Sequence, residues 1–124
     1  MGVERWERGW AAVVHLGILF SWVGMVGTLV VLLWQRDHSA FVADHAKQAL
    51  AYQLAVFCVL YLSSLALAGS LATGLVGLER FLGSASILGL MVVVTTAVAM
   101  WASVTALKGV RCRYPVIGRL LQRV

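Results

Sequence analysis

The stretch "SAFVADHAKQALAYQL", Ser39 to Leu54, decides the fold, because polar side chains crowd its first half and an apolar segment follows directly. No Asp, Glu, Lys or Arg occurs between Lys47 and Glu79. A helix that crosses a bilayer needs roughly 20 apolar residues, and this window is longer. We therefore expect one membrane helix with a polar entrance over 40–72.

Two further windows have the same character. One lies between Arg8 and Arg36 and the other between Arg80 and Lys108, and neither contains a charged residue. By the same length argument each window holds one membrane helix. We expect these helices over 10–34 and 86–107.

The composition points to the same class of protein. Over the whole chain 61% of the residues are hydrophobic and 12% are charged, which is about half the charged share of a soluble domain. We therefore predict an all-α integral membrane protein with three transmembrane helices, formed by residues 1–124 as a single domain.

The tail, 108–124, is basic and has a helical period after Pro115. One arc of its helical wheel holds only apolar side chains, those of Val116, Ile117, Leu120, Leu121 and Val124. Arg119 and Arg123 fall on the other side. We expect a short amphipathic helix at the membrane interface, with these two arginines on anionic lipid headgroups. The net charge of +5 then requires no nucleic acid.

The distribution of Lys and Arg predicts the orientation. With three spans, the first loop and the tail share one side and together carry seven basic residues, whereas the N-terminus and the second loop carry three. Basic loops stay in the cytoplasm. We expect a multi-pass protein of the cell membrane with its N-terminus outside and its tail in the cytoplasm.

One face of the second helix is polar at its entrance. Phe41, Gln48 and Tyr52 lie within about 60° of His45 on a helical wheel, and Gln53 lies slightly further round. An amide without a partner in hydrocarbon costs several kcal/mol, so these groups should face another helix, another subunit or water. They either cap and tether the neighbouring loop and tail, or they line a binding site or conduit.

Small residues recur at helical spacing on the first and third segments. They are Gly17, Gly24 and Gly27 on the first, and Thr95, Ala99 and Ser103 on the third. Small residues let helices approach closely in lipid. We interpret both sets as packing surfaces.

Chemistry-bearing residues are few. On a straight first helix, His15 would lie about 25 Å or more from His45, so the two should not share a metal ion, and we predict neither a metal nor a cofactor. No set of residues fits acid, base and nucleophile roles, so we expect no enzyme. The alternative function is binding of a small molecule or a cofactor such as haem through His15 or His45.

The motif order resembles a small bacterial and archaeal membrane family of unknown function, the Tic-twenty-like proteins, named after a chloroplast inner-envelope import component. The similarity rests on four motifs in this order: His15-Leu16-Gly17, Trp34-Gln35-Arg36-Asp37, "FVADHAKQALAYQL" (41–54) and "ALKGVRCRYPVIGRL" (106–120). The residues that match the family pattern are Asp37, Phe41, His45, Gln48, Ala49, Leu50, Gln53, Lys108, Gly109, Tyr114 and Pro115.

The resemblance implies a non-enzymatic subunit of a transport or translocation assembly. Such a subunit would associate with itself or with a larger membrane complex. Its matching residues fall near the first loop and the tail, so the resemblance also implies a functional surface at the cytoplasmic face.

Overall fold

A computed structural model describes residues 2–111, 113 and 114. No strand occurs in this part of the chain, which confirms the all-α prediction. The helix predicted for the tail lies outside the described residues. The elements in chain order are α1 (Arg5–Leu16), a 3-10 turn (Gly17–Phe20), α2 (Ser21–Gln35), α3 (Ala40–Ala72) and α4 (Leu78–Leu107).

Three helical segments are long and apolar enough to cross a membrane, by length and composition: Arg5–Gln35, Ala40–Ala72 and Leu78–Leu107. The helix α3 begins at a serine cap, because the Ser39 hydroxyl accepts the Val42 N–H at 3.3 Å. The helix α4 begins at Leu78, well before the predicted start at 86.

The first segment is folded in two. The Trp10 and Trp34 rings meet edge to face with centroids 5.5 Å apart, and the Thr28 hydroxyl donates to the Val14 carbonyl at 3.2 Å. Residues later in α1 thus pair with residues earlier in α2. The two helices are therefore antiparallel and form a hairpin. The prediction of one straight helix over 10–34 is therefore wrong.

Two glycines and one unusual backbone conformation accompany the reversal. A Cβ on Gly24 would collide with the backbone of Gly17, so the two helices touch where no larger residue fits. At the tip, Ser21 has φ +54°, a conformation that residues other than glycine seldom adopt.

Neither arm of the hairpin is long enough to cross a membrane alone. The helices α1 and α2 have 12 and 15 residues, which corresponds to about 18 and 22 Å. A hydrocarbon core is about 30 Å thick. The tip of the hairpin therefore lies part of the way along α3 and α4.

The hairpin brings the N-terminus to the same end of the bundle as the first loop and the tail, which we call the polar end. Glu7 accepts a hydrogen bond from the Ser39 hydroxyl, and the Arg8 side chain lies beside Gly109. The N-terminus and the tail were predicted on opposite sides. In the structure both lie at the polar end of the bundle, because α1 runs parallel to α3 instead of entering from the far end.

Helix α1 contacts α2, α3 and α4 and lies at the centre of the polar half of the bundle. Its contacts with α4 are made by small side chains, with Ala11 and Ala12 packed near Ala106. Ser103 on α4 donates to the Ala12 carbonyl at 3.1 Å. The small-residue stripe predicted on the third segment thus takes part in packing, and it brings α4 against α1.

Candidate functional site

The polar face of α3 lies against α1 and the tail. The His15 and His45 side chains are each 1% exposed, and Tyr114 is 3% exposed. Nδ1 of His15 lies 3.0 Å from the Tyr114 hydroxyl, and Nε2 of His15 lies 2.9 Å from Nδ1 of His45. The Phe41 ring packs on the His45 ring at 4.6 Å. We call Tyr114, His15 and His45 the Tyr–His–His chain; it joins the tail, α1 and α3.

The predicted separation of the two histidines by about 25 Å or more is wrong. It assumed that the first segment enters at the opposite end of the bundle from α3. Because α1 begins beside Ser39 and runs parallel to α3, the two imidazoles reach the same level and bond directly.

The Tyr–His–His chain admits two hydrogen-bond directions. A neutral imidazole has one N–H donor and one acceptor nitrogen. If Tyr114 donates to His15, then His15 donates to His45; in the reverse order every donor and acceptor role changes. The arrangement therefore couples the proton positions of three side chains.

The outer nitrogen of the Tyr–His–His chain is Nε2 of His45. It is buried, and no group in the described residues meets it at hydrogen-bond geometry, although the Val110 backbone interacts with the ring. Both ring nitrogens of His15 are engaged, which leaves neither for a haem iron. Within residues 2–111, 113 and 114, no group of three or more His, Cys, Asp or Glu side chains could hold a metal ion.

Deeper along α3, Gln53 bridges to the hairpin. Its Nε2 donates to the Val14 carbonyl at 2.8 Å and to the Thr28 hydroxyl at 3.2 Å. Val14 lies just before the 3-10 turn, so its carbonyl needs partners from outside α1. Irregular backbone at membrane depth is tolerated where protein groups satisfy it, and Gln53 and Thr28 do so here.

Gln48 and Tyr52 tie α3 to the tail and to α4. The Gln48 side-chain oxygen accepts the Tyr114 N–H at 3.2 Å. The Tyr52 ring stacks on the Tyr114 ring with centroids 4.4 Å apart and planes at 4°, and its hydroxyl donates to the Thr95 carbonyl at 3.0 Å. In the described structure these polar groups therefore tether neighbouring elements.

One predicted site residue, Asp37, is not part of this cluster. Asp37 is exposed in the first loop and pairs with its neighbour Arg36 at 3.4 Å. An exposed pair of this kind contributes little to stability, and the structure gives Asp37 no contact with the Tyr–His–His chain. Pro115 lies outside the described residues.

The tail motif serves as a turn. Lys108 follows the last residue of α4, and Gly109 has φ +75°, which glycine adopts without strain. The chain then returns along the polar end, where Arg111 pairs with Asp44 at 3.4 Å, and reaches Tyr114. The predicted motif therefore positions the tyrosine that bonds His15.

Sequence reasoning missed Glu7 and Thr28 as contact residues. A lone threonine in an apolar window is a weak signal, because the partners of Thr28, Val14 and Gln53, are distant from it in sequence. Glu7 is acidic in the first turn of α1, which indicates a helix start but does not identify Ser39 as its partner.

Comparison with known proteins concerns the chain as a whole. A family model described as MamF_MmsF, the magnetosome magnetite crystal formation protein family, matches residues 6–121. No curated protein and no solved structure matches the chain. The family match shows that the resemblance to Tic-twenty-like proteins is wrong, and it gives no support to the translocation role that came with that resemblance.

Proposed function

Since the chain belongs to the MamF/MmsF family of magnetosome magnetite crystal formation proteins, we propose that it acts in magnetosome crystal formation as a non-enzymatic subunit of a membrane assembly. The observation that carries this proposal is the family match over residues 6–121. The three apolar segments fit a multi-pass membrane protein, and a magnetosome membrane is the setting that the family description supplies.

Because α1 and α2 form a hairpin, we propose an orientation of the protein in the membrane that differs from the one predicted from the sequence. Helices α3 and α4 cross the membrane, and the α1–α2 hairpin enters from the polar end and returns to it. In the described residues the polar end then carries seven Lys and Arg side chains, and the opposite end carries Arg80. Because basic segments stay in the cytoplasm, both the N-terminus and the tail face the cytoplasm.

A structural role agrees with how the polar groups are used. His15, Gln48 and Gln53 are bonded to other side chains or to backbone across element boundaries. Groups committed to such bonds hold helices in place and are poor candidates for general acids or bases, which must reach a substrate. These bonds therefore hold the elements of the polar end together on the cytoplasmic side of the membrane.

The surface for assembly lies on the parts of α3 and α4 that extend beyond the tip of the hairpin. Large apolar side chains are exposed there, among them Leu62, Leu65, Leu90 and Val93. In a bilayer such faces meet lipid or another helix, and association is driven by close packing. We therefore include self-association or a larger membrane complex in the proposal, together with anionic headgroups as partners of the basic tail.

The test is to express a tagged chain in a magnetite-forming bacterium that lacks its own family members. The tagged protein should co-purify with magnetically isolated magnetosomes, and the crystal size distribution in electron micrographs should shift towards that of the parent strain. A tag found only in the cytoplasmic membrane, with crystals unchanged, would contradict the proposal.

A further inference from the structure

A cavity of about 300 Å³ lies at the tip of the hairpin, between α3 and α4. The hairpin contributes Ser21 and Met25, α3 contributes Phe57 and Ser64, and α4 contributes Thr96. Its volume is at the lower end of the range for small-molecule sites, roughly 300–1,000 Å³. The cavity is separate from the Tyr–His–His chain, because it lies in the half of the bundle away from the polar end.

Tyr61 and Thr95 are among the hydroxyl-bearing residues that line this cavity, and three further hydroxyl groups line it from three helices: Ser21 of α2, Ser64 of α3 and Thr96 of α4. None of these three hydroxyls makes a hydrogen bond within the described residues, whereas Thr95, beside Thr96, donates to the Met91 carbonyl of its own helix at 2.8 Å. Lipid tails offer no hydrogen-bonding partner at this depth. The cavity therefore presents unused donors in an apolar setting.

Gln53 adds a polar group to the wall of the cavity. Both hydrogens of its Nε2 are committed, one to Val14 and one to Thr28. Its Oε1 is buried and has no hydrogen-bond partner in the described residues, and the side chain is 4% exposed. An unpaired buried acceptor is costly, but this oxygen has almost no exposed surface, so an occupant of the cavity does not reach it.

One wall of the cavity is aromatic. The Phe57 and Tyr61 rings are nearly parallel, with centroids 5.8 Å apart and planes at 5°. Tyr61 and Val92, which also line the cavity, are both exposed, so the site opens sideways towards the surrounding lipid. Aromatic side chains in the wall favour a planar ring as the occupant.

From these features we propose that the cavity binds a lipophilic quinone-type molecule, with a planar ring that carries oxygen atoms and an alkyl tail that extends into the bilayer. The ring lies against Phe57, and its oxygens accept hydrogen bonds from the hydroxyls of Ser64 and Thr96. An apolar pocket with a few convergent polar groups is the usual form of a small-molecule site. The proposal concerns binding and does not depend on a role in crystal formation.

The experiment uses the full chain in detergent micelles and two probes, 2-decyl-1,4-benzoquinone and decylbenzene, which differ in the ring oxygens. Dissociation constants come from the dependence of the thermal unfolding midpoint on probe concentration. The quinone should bind at least about fivefold more tightly than decylbenzene, the ratio expected for one ordinary hydrogen bond.

Two hydroxyl deletions and one matched control locate the binding. Ser64→Ala and Thr96→Val should each weaken quinone binding about fivefold and leave decylbenzene binding unchanged. Ser63→Ala removes a neighbouring hydroxyl that does not line the cavity and should change neither. These substitutions change side-chain volume little, so folding should be preserved.

A cavity-filling pair provides the second test. Ser64→Phe occupies the cavity and should abolish the quinone-induced rise in the unfolding midpoint, whereas Leu62→Phe, on an exposed position outside the cavity, should keep it. Equal affinity for the two probes, or hydroxyl variants that bind the quinone as well as the parent, would overturn the proposal. If Ser64→Phe does not fold, the hydroxyl deletions alone decide.

Discussion

Nε2 of His15 lies 2.9 Å from Nδ1 of His45, although the two residues belong to different helices and are distant in sequence. The contact exists because the hairpin makes α1 run parallel to α3 from the same end of the bundle. The Tyr114 hydroxyl, at 3.0 Å from the other nitrogen of His15, extends the contact to the tail. His15 thus occupies the position through which the hairpin, α3 and the tail are joined.

Replacement of His15 by Leu should lower the free energy of unfolding by about 1–3 kcal/mol, because it removes the buried hydrogen bonds to His45 and Tyr114. The measurement is thermal or denaturant unfolding in detergent. The control is His38→Leu, since His38 is exposed and its side chain bonds only the Trp34 carbonyl among the described residues; its effect should stay within about 0.5 kcal/mol. Equal effects of the two substitutions would contradict a joining role for His15.

The coupling between the two histidines can be measured directly. A double-mutant cycle with His15→Leu and His45→Leu should give an interaction energy of about 0.5–3 kcal/mol, the range for residues in one hydrogen-bond network. A cycle that pairs His15→Leu with His38→Leu should give none within about 0.5 kcal/mol. Additive effects of His15→Leu and His45→Leu would show that the rings do not meet in the folded protein.

A pair of glycines tests the hairpin. Gly24→Ala places a Cβ against the backbone of Gly17, so α1 and α2 must move apart, at a cost of about 1–3 kcal/mol for overpacking. Gly27→Ala adds a methyl group in open space and should be neutral or slightly stabilising, because alanine has the higher helix propensity. Denaturant unfolding of both variants should separate them. Similar stability of the two would argue for a straight first helix.

The sequence predicts the helical class and the apolar segments, but not the course of the first segment. A long charge-free window is compatible with one spanning helix and with two shorter helices in a hairpin, since both are apolar throughout. The decision depends on Gly17 meeting Gly24 and on Gln53 meeting the Val14 carbonyl. The first contact lies within the window, but the second comes from α3 and has no trace in the local pattern.

The candidate site, too, could be predicted only in part from the sequence. The helical wheel placed Gln48, Tyr52 and Gln53 on the side of α3 that faces other elements, because local geometry determines which residues share a face. Which partners they meet depends on the direction of α1. The sequence therefore predicted a polar face near His45 but missed His15 as its neighbour.

The hairpin also predicts a short distance across the first segment. Spin labels attached after Arg5→Cys and Asp37→Cys, in a chain with its two native cysteines replaced by serine, should lie close together, since Glu7 and Ser39 are in contact. A straight helix would separate the labelled positions by about 50 Å, from a rise of about 1.5 Å per residue. Pulsed electron spin resonance resolves these alternatives. A distance distribution centred near the longer value would rule out the hairpin.

Tyr114 should fasten the tail through its ring as well as its hydroxyl. Tyr114→Phe keeps the stack on Tyr52 and loses the bond to His15, so it should cost about 1 kcal/mol. Tyr114→Ala also loses the stack, and truncation of a buried aromatic side chain costs about 3–5 kcal/mol.

Brief trypsin digestion in detergent should therefore cleave after Arg111 fastest in the alanine variant and only slightly faster than the parent in the phenylalanine variant. The exposed Arg36 provides an internal reference site, and equal cleavage of all three proteins after Arg111 would show that the tail is held by other contacts.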